Sequence, residues 1–66
     1  MGHIGIGERI REARKAKGLS VRQLATYADV DERHIRRLEA GTRRTPRFDT
    51  FLRLQKVLGP DLLKIN

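Results

Sequence analysis

The sequence predicts an all-α protein, a compact domain of four to five helices. Three observations carry that expectation. Apolar residues recur at three- and four-residue spacing in separate stretches, helix start and stop signals fall between those stretches, and nothing alternates with period two or gathers β-branched residues as a strand would. With 66 residues the chain reads as a single domain, 1–66. Its expected radius of gyration is roughly 11 Å, so the core is one layer of side chains deep.

Ile6, Ile10 and Ala13 fall at i, i+4 and i+7, one stripe on a first helix of about ten residues. Glu8 near its start and Lys15 and Lys17 near its end suit the helix dipole, and Gly18 supplies a left-handed stop. Gly2, Gly5 and Gly7 do not form a phosphate loop, because no strand precedes them and Ile10 takes the third glycine's place. They read instead as part of a flexible arm, placed at residues 1–5.

Ser20 with Gln23 three residues on is a capping box, so a second helix starts there with Val21, Leu24, Ala25 and Ala28 on its apolar face. Asp29-Val30-Asp31 breaks that pattern, and Asp31 can cap a third helix from Glu32 to Ala40, with Ile35 and Leu38 inward and Gly41 ending it. Thr42 to Pro46 has no periodicity and reads as a loop. A fourth helix follows, with Phe48, Phe51, Leu54 and Leu58 expected inside and Gln55 at the margin, until Gly59-Pro60 stops it. Asp61 to Ile65 is long enough for one last turn.

Composition narrows the function. Apolar residues make up 38% of the chain and charged ones 35%, against about 25% charged in soluble domains. The net charge is +7 and the sequence pI is about 11.1, which points to a polyanionic partner, nucleic acid first and an anionic membrane second. There is no cysteine, so neither disulfides nor thiolate zinc staple the fold. No apolar run exceeds two residues, which argues against a bilayer span or a signal peptide, and Ile6 stands where myristoylation of Gly2 wants Ser or Thr. The chain reads as cytoplasmic. A domain this small leaves little room for a catalytic cleft. His3 and His34 have no neighbouring ligands, and Asp29 and Asp31 read as turn and cap, so no catalytic residue, metal or cofactor is expected.

The charge is concentrated. Residues 33–47 hold six arginines (Arg33, Arg36, Arg37, Arg43, Arg44 and Arg47) against one acid, Glu39, for a segment net of +5, whereas residues 18–32 sum to −2. Arginine's rigid fork suits bidentate contact with phosphate or guanine. With Ile35 and Leu38 inward, a helical step of about 100° places Arg33, Arg37 and Ala40 on the opposite side, Arg36 beside them, and Glu32 and His34 on the flanks. A helix of that width fits the major groove of B-DNA.

The stretch Ile10-Arg11-Glu12-Ala13-Arg14, Gly18-Leu19-Ser20-Val21-Arg22-Gln23-Leu24-Ala25, Val30-Asp31, Ile35-Arg36-Arg37-Leu38-Glu39-Ala40-Gly41, Pro46, Leu54 and Leu58-Gly59 closely resembles the phage-repressor/Cro-type (XRE) helix-turn-helix family. The likeness covers about residues 5–65. It implies a lambda-repressor-like DNA-binding fold with the helix-turn-helix at about residues 20–40, the third helix in the major groove and the second against the backbone. By similarity Glu32, Arg33 and Arg37 match base-reading positions, with His34 reading bases or touching phosphate. Arg44, Thr45, Arg47 and the amide of Phe48 match the phosphate-contacting loop, and Arg22, Arg36, Arg43 and the backbone of Val21 complete the expected phosphate contacts. Arg14 and Glu39 match a partly buried ion pair. This sequence departs from the family at Asp29, where Gly is common, at Val21, where Gln is frequent, and at Gln55, where a small apolar residue is usual.

The leading expectation is therefore sequence-specific binding of double-stranded DNA without catalysis, as a transcriptional repressor or regulator. The family's habit of binding near-palindromes implies a homodimer, for which the apolar end Leu62, Leu63 and Ile65 offers an interface. The same three residues also suit a lid on the core or the stub of a truncation. The alternative from another class is an antitoxin-like or adaptor module whose basic face meets an acidic protein. RNA is disfavoured, because Tyr27, Phe48 and Phe51 are the only aromatics and the phenylalanines are expected in the core.

Overall fold

The computed structural model describes residues 5–41, 46–59 and Leu62. Four helices follow one another: α1 (Ile6–Ala16), α2 (Val21–Ala28), α3 (Glu32–Ala40) and α4 (Phe48–Leu58). No strand occurs among the described residues. Residues 1–4 of the arm expected at 1–5, residues 42–45 of the loop expected at Thr42 to Pro46 and, Leu62 aside, the last turn expected at Asp61 to Ile65 lie outside them.

Each boundary has a local cause. At the start of α2 the Ser20 hydroxyl accepts from the Gln23 amide at 3.0 Å, and the Gln23 side chain accepts from the Ser20 amide at 2.8 Å, the reciprocal box the spacing predicts. Asp31 Oδ1 accepts from the Arg33 amide at 2.8 Å and so opens α3. Gly18 (φ 69°) ends α1 with the Leu19 amide donating to the Arg14 carbonyl at 3.1 Å, and Gly41 (φ 82°) ends α3.

The core is a single cluster that every helix feeds: Ile10 and Ala13 from α1, Leu24, Ala25 and Ala28 from α2, Ile35 and Leu38 from α3, and Leu54 and Leu58 from α4. Helix α1 packs on α3 and α4, and α2 packs on the same two. Leu62 is fully buried in this cluster. It serves as a core lid, which removes it from the expected dimer surface; Leu63 and Ile65 lie outside the described residues.

Two expectations fail for physical reasons. Gly7 does not belong to an arm. It is buried inside α1, and a Cβ built on it would overlap the Leu38 carbonyl of α3, so the missing side chain lets the two backbones touch. Gly5 supplies the extended N-cap of that helix. Phe48, expected inside, is 76% exposed. A three-residue step falls about 60° short of a full turn. Counting back from Leu54 through Phe51 to Phe48 therefore winds the stripe about 120° off the core, and Phe51 is already only partly buried.

Substituting Gly7 tests the close approach. Gly7→Ala should destabilise the domain by about 1–3 kcal/mol through overpacking. Gly5→Ala, where no atom lies within 4 Å of the added carbon, should cost well under that, about 0.5 kcal/mol or less. Urea unfolding of the two variants checks the difference, and equal stability would contradict the contact.

Candidate nucleic-acid interface

The inner side of α3 is held by one arginine. Arg14 of α1 presents Nε to Glu39 Oε2 at 2.8 Å and Nη2 to Oε1 at 3.0 Å, while Nη1 donates to the Leu19 carbonyl at 2.7 Å. The two side chains are 13% and 9% exposed, so the pair is largely shielded from solvent and its bidentate geometry is the strong kind. One guanidinium thus ties α1, the α1–α2 connection and α3 together. Glu39, the acid within the basic block, faces inward and is compensated there.

The turn between α2 and α3 is set by Asp29 in the left-handed region (φ 57°, ψ 48°), with the Val30 amide donating to the Ala25 carbonyl at 3.0 Å. Asp tolerates that conformation less readily than Gly. Arg53 of α4 braces it, since its Nη1 donates to the Asp29 carbonyl at 2.9 Å and lies 3.6 Å from the Asp29 carboxylate. Sequence reasoning passed over Arg53. Its only signal was a cation, with Lys56 one turn on, on an otherwise uncommitted face of α4.

With the inner face fixed, Arg33, Arg36, Arg37 and Ala40 are exposed along the outer ridge of α3. An open cleft of about 410 Å³ runs beside the ridge between the α2–α3 turn, α3 and the start of α4. It gathers Arg33, His34 and Arg37 of α3 with Arg47, the N-cap residue of α4, and with Arg53. His34 is half-buried there, and its Nε2 is shut off from solvent with no hydrogen-bond partner among the described residues. Arg43, Arg44 and Thr45, the rest of the expected phosphate-contacting loop, lie outside the described residues. Phe48, at the first turn of α4, is exposed beside Arg47.

Glu32, Arg36 and Arg22 form a second group at the start of α3. Glu32 Oε2 accepts from Arg36 Nη2 at 2.6 Å and from its Nε at 3.1 Å, and Arg22 Nε of α2 lies 3.6 Å from Oε1. The Arg36 hydrogen bond, aided by both positive charges, holds the Glu32 carboxyl below its ordinary value. The pairing is therefore fully present above the ordinary carboxylate range and fades as the pH falls through the lowered value. Val21, at the first turn of α2, is partly buried against the core.

Among the described residues no group of three or more His, Asp or Glu side chains is placed to hold a metal, and no helix is long and apolar enough to cross a membrane. A helix-turn-helix family model matches residues 10–63, most of the chain. The chain belongs to that helix-turn-helix family. Helices α2 and α3, joined by the Asp29 turn, both lie within the matched residues. Among curated proteins the helix-turn-helix chain is 40% identical over 52 residues to an uncharacterized HTH-type transcriptional regulator, RghRB, of Bacillus subtilis (strain 168), a match that covers 79% of this chain and 37% of that relative. This chain thus spans little more than a third of the relative it matches. No solved structure matches it.

Two measurements check the electrostatics of the helix-turn-helix pair. Glu39→Gln leaves the Arg14 guanidinium short of a compensating charge, and the domain should lose about 2–3 kcal/mol, seen as a lower midpoint in urea. An unchanged midpoint would show the fork to be dispensable. Carboxyl-carbon NMR titration of Glu32 should give a midpoint that rises toward the ordinary value in Arg36→Ala. A midpoint that does not move would contradict the pairing.

Proposed function

We propose that this helix-turn-helix domain binds double-stranded DNA sequence-specifically, as a transcriptional regulator of the repressor kind, with α3 lying in the major groove. The observation that carries the reading is the outer ridge of α3. Three exposed arginines stand there on a helix whose other face is buried and whose inward acid, Glu39, is compensated by Arg14. The relative in Bacillus subtilis is named a transcriptional regulator, which agrees with this role.

In this reading Glu32, Arg33 and Arg37 face base edges, and the half-buried His34 beside them reads a base or touches phosphate. Arg33 and Arg37, one turn apart, each suit the O6 and N7 acceptors of a guanine, and Glu32 suits the N4 amine of a cytosine. The backbone of Val21 and of Phe48, with Arg22, Arg36, Arg43, Arg44, Thr45 and Arg47, meets phosphates. The complex forms on a near-palindromic operator with a second copy of the chain, because two half-sites multiply specificity. The domain acts in the cytoplasm and carries out no catalysis.

The test is duplex binding across a salt series. Neutralising roughly 6–8 phosphates predicts a slope of log K on log salt of about −5 to −7. No binding at low salt would refute the proposal and favour a protein partner for the basic face. On a set of matched duplexes, Arg37→Ala should lose about 1–3 kcal/mol of discrimination at one base pair. An equal loss on every sequence would make Arg37 a phosphate contact instead.

A further inference from the structure

We infer that Arg36 is a positioning residue for base readout: with Arg22 as a second stay, it fixes the Glu32 carboxylate at the start of α3 and so sets which base pair Glu32 accepts. The inference rests on the proposed reading that Glu32 faces a base edge, and it gives Arg36 and Arg22 work that a phosphate contact does not include.

The geometry is specific. Both Arg36 contacts, Nη2 at 2.6 Å and Nε at 3.1 Å, fall on one oxygen, Oε2. That oxygen is anchored one turn along the same helix, where an i,i+4 pair meets side by side. The other oxygen, Oε1, has only Arg22 near it, at 3.6 Å. That distance suits charge attraction and is too long for a hydrogen bond. Oε1 therefore keeps its lone pairs, and its direction is set by the anchored Oε2.

A glutamate without such anchors has several free rotors, and ordering them on docking would cost binding free energy. Anchoring removes that cost beforehand. Glu32 is also held ionised by its arginine partners, so Oε1 acts only as an acceptor. An acceptor held in one place suits an exocyclic amine, cytosine N4 or adenine N6, and repels the carbonyl oxygens of guanine and thymine. The two arginines offset a second cost as well. A bare carboxylate beside DNA phosphates would be repelled by them, whereas Glu32 between two cations is part of a group with net positive charge. Arg22 comes from α2 and Glu32 from α3, so the pair also couples the two helices of the motif at the point where they would meet DNA.

The experiment begins with a duplex selected by the wild-type chain from a random pool. Relative affinities are then measured at one salt concentration for that duplex and for variants substituted at each position, using wild type, Glu32→Gln, Arg36→Ala, Arg36→Lys and Arg22→Ala. Circular dichroism of each variant checks that the helices are retained; Arg36 is exposed and takes no part in the core. Glu32→Gln and Arg36→Ala should each flatten the preference at the same base pair by about tenfold. A double variant that joins Glu32→Gln with Arg36→Ala should flatten it no further than Glu32→Gln alone. Arg36→Lys, which keeps a charged donor near Oε2, should recover part of the preference, and Arg22→Ala should lose a smaller share of it. If Glu32→Gln flattens that position while Arg36→Ala weakens all duplexes equally, Arg36 is a phosphate arm and the inference is overturned. If Glu32→Gln changes no preference anywhere, the base-reading role of Glu32 falls and takes the inference with it. If no duplex is enriched at all, it is the DNA reading itself that fails.

Discussion

The three-way fork of Arg14 is the contact on which the orientation of α3 depends. It joins Glu39 of α3 to α1 and to the Leu19 carbonyl in a nearly closed environment. One residue away, the Leu38 backbone lies against Gly7 so closely that no side chain fits between them. Both contacts bear on the same side and the same end of α3, together with the buried Leu38 and Ile35. Once that side is fixed, helical geometry leaves Arg33, Arg36 and Arg37 no direction but outward. The basic ridge is a consequence of how the inner face is held.

A small domain with a net charge of +7 must also manage its acids, since an unpaired carboxylate on the ridge would oppose a polyanion. Around α3 each acid has a local task. Glu39 is turned inward to Arg14, Asp31 caps the helix through the Arg33 amide, Glu32 is gripped by Arg36, and Asp29 shapes the turn under Arg53. The −2 that the sequence shows over residues 18–32 is therefore spent on a turn, a cap and an ion pair. Much of the charge around α3 is thus engaged within the fold, and Arg36 both pairs with Glu32 and stands on the exposed ridge.

Much of this was legible in the chain because the signals were local. Ser20 with Gln23, Asp31, Gly18 and Gly41 mark their helix ends by hydrogen bonds and dihedrals that span only a few residues. What the sequence hid depends on tertiary approach. Gly7 stands three residues before Ile10, on the apolar stripe of α1, which was a signal for close packing. In the sequence it groups with its glycine neighbours as an arm, because the partner backbone at Leu38 is remote along the chain. Phe48 looked like core from its type, but its angle on α4 turns it out to solvent. The grip of Arg36 on Glu32 follows an i,i+4 spacing that was visible, yet both residues were read for what they offer a partner and not for what they offer each other.

The surface proposed to meet a DNA duplex is the outer ridge of α3, with the start of α2 and the start of α4 beside it. Amide chemical-shift mapping of the labelled domain, titrated with duplex DNA at low salt, tests it most directly. The largest shifts should fall on Glu32 to Ala40, on Val21 and Arg22, and on Arg47 and Phe48, while Leu52 to Lys56 of α4 change little. Shifts centred on that part of α4, or none at all with duplex present, would contradict it.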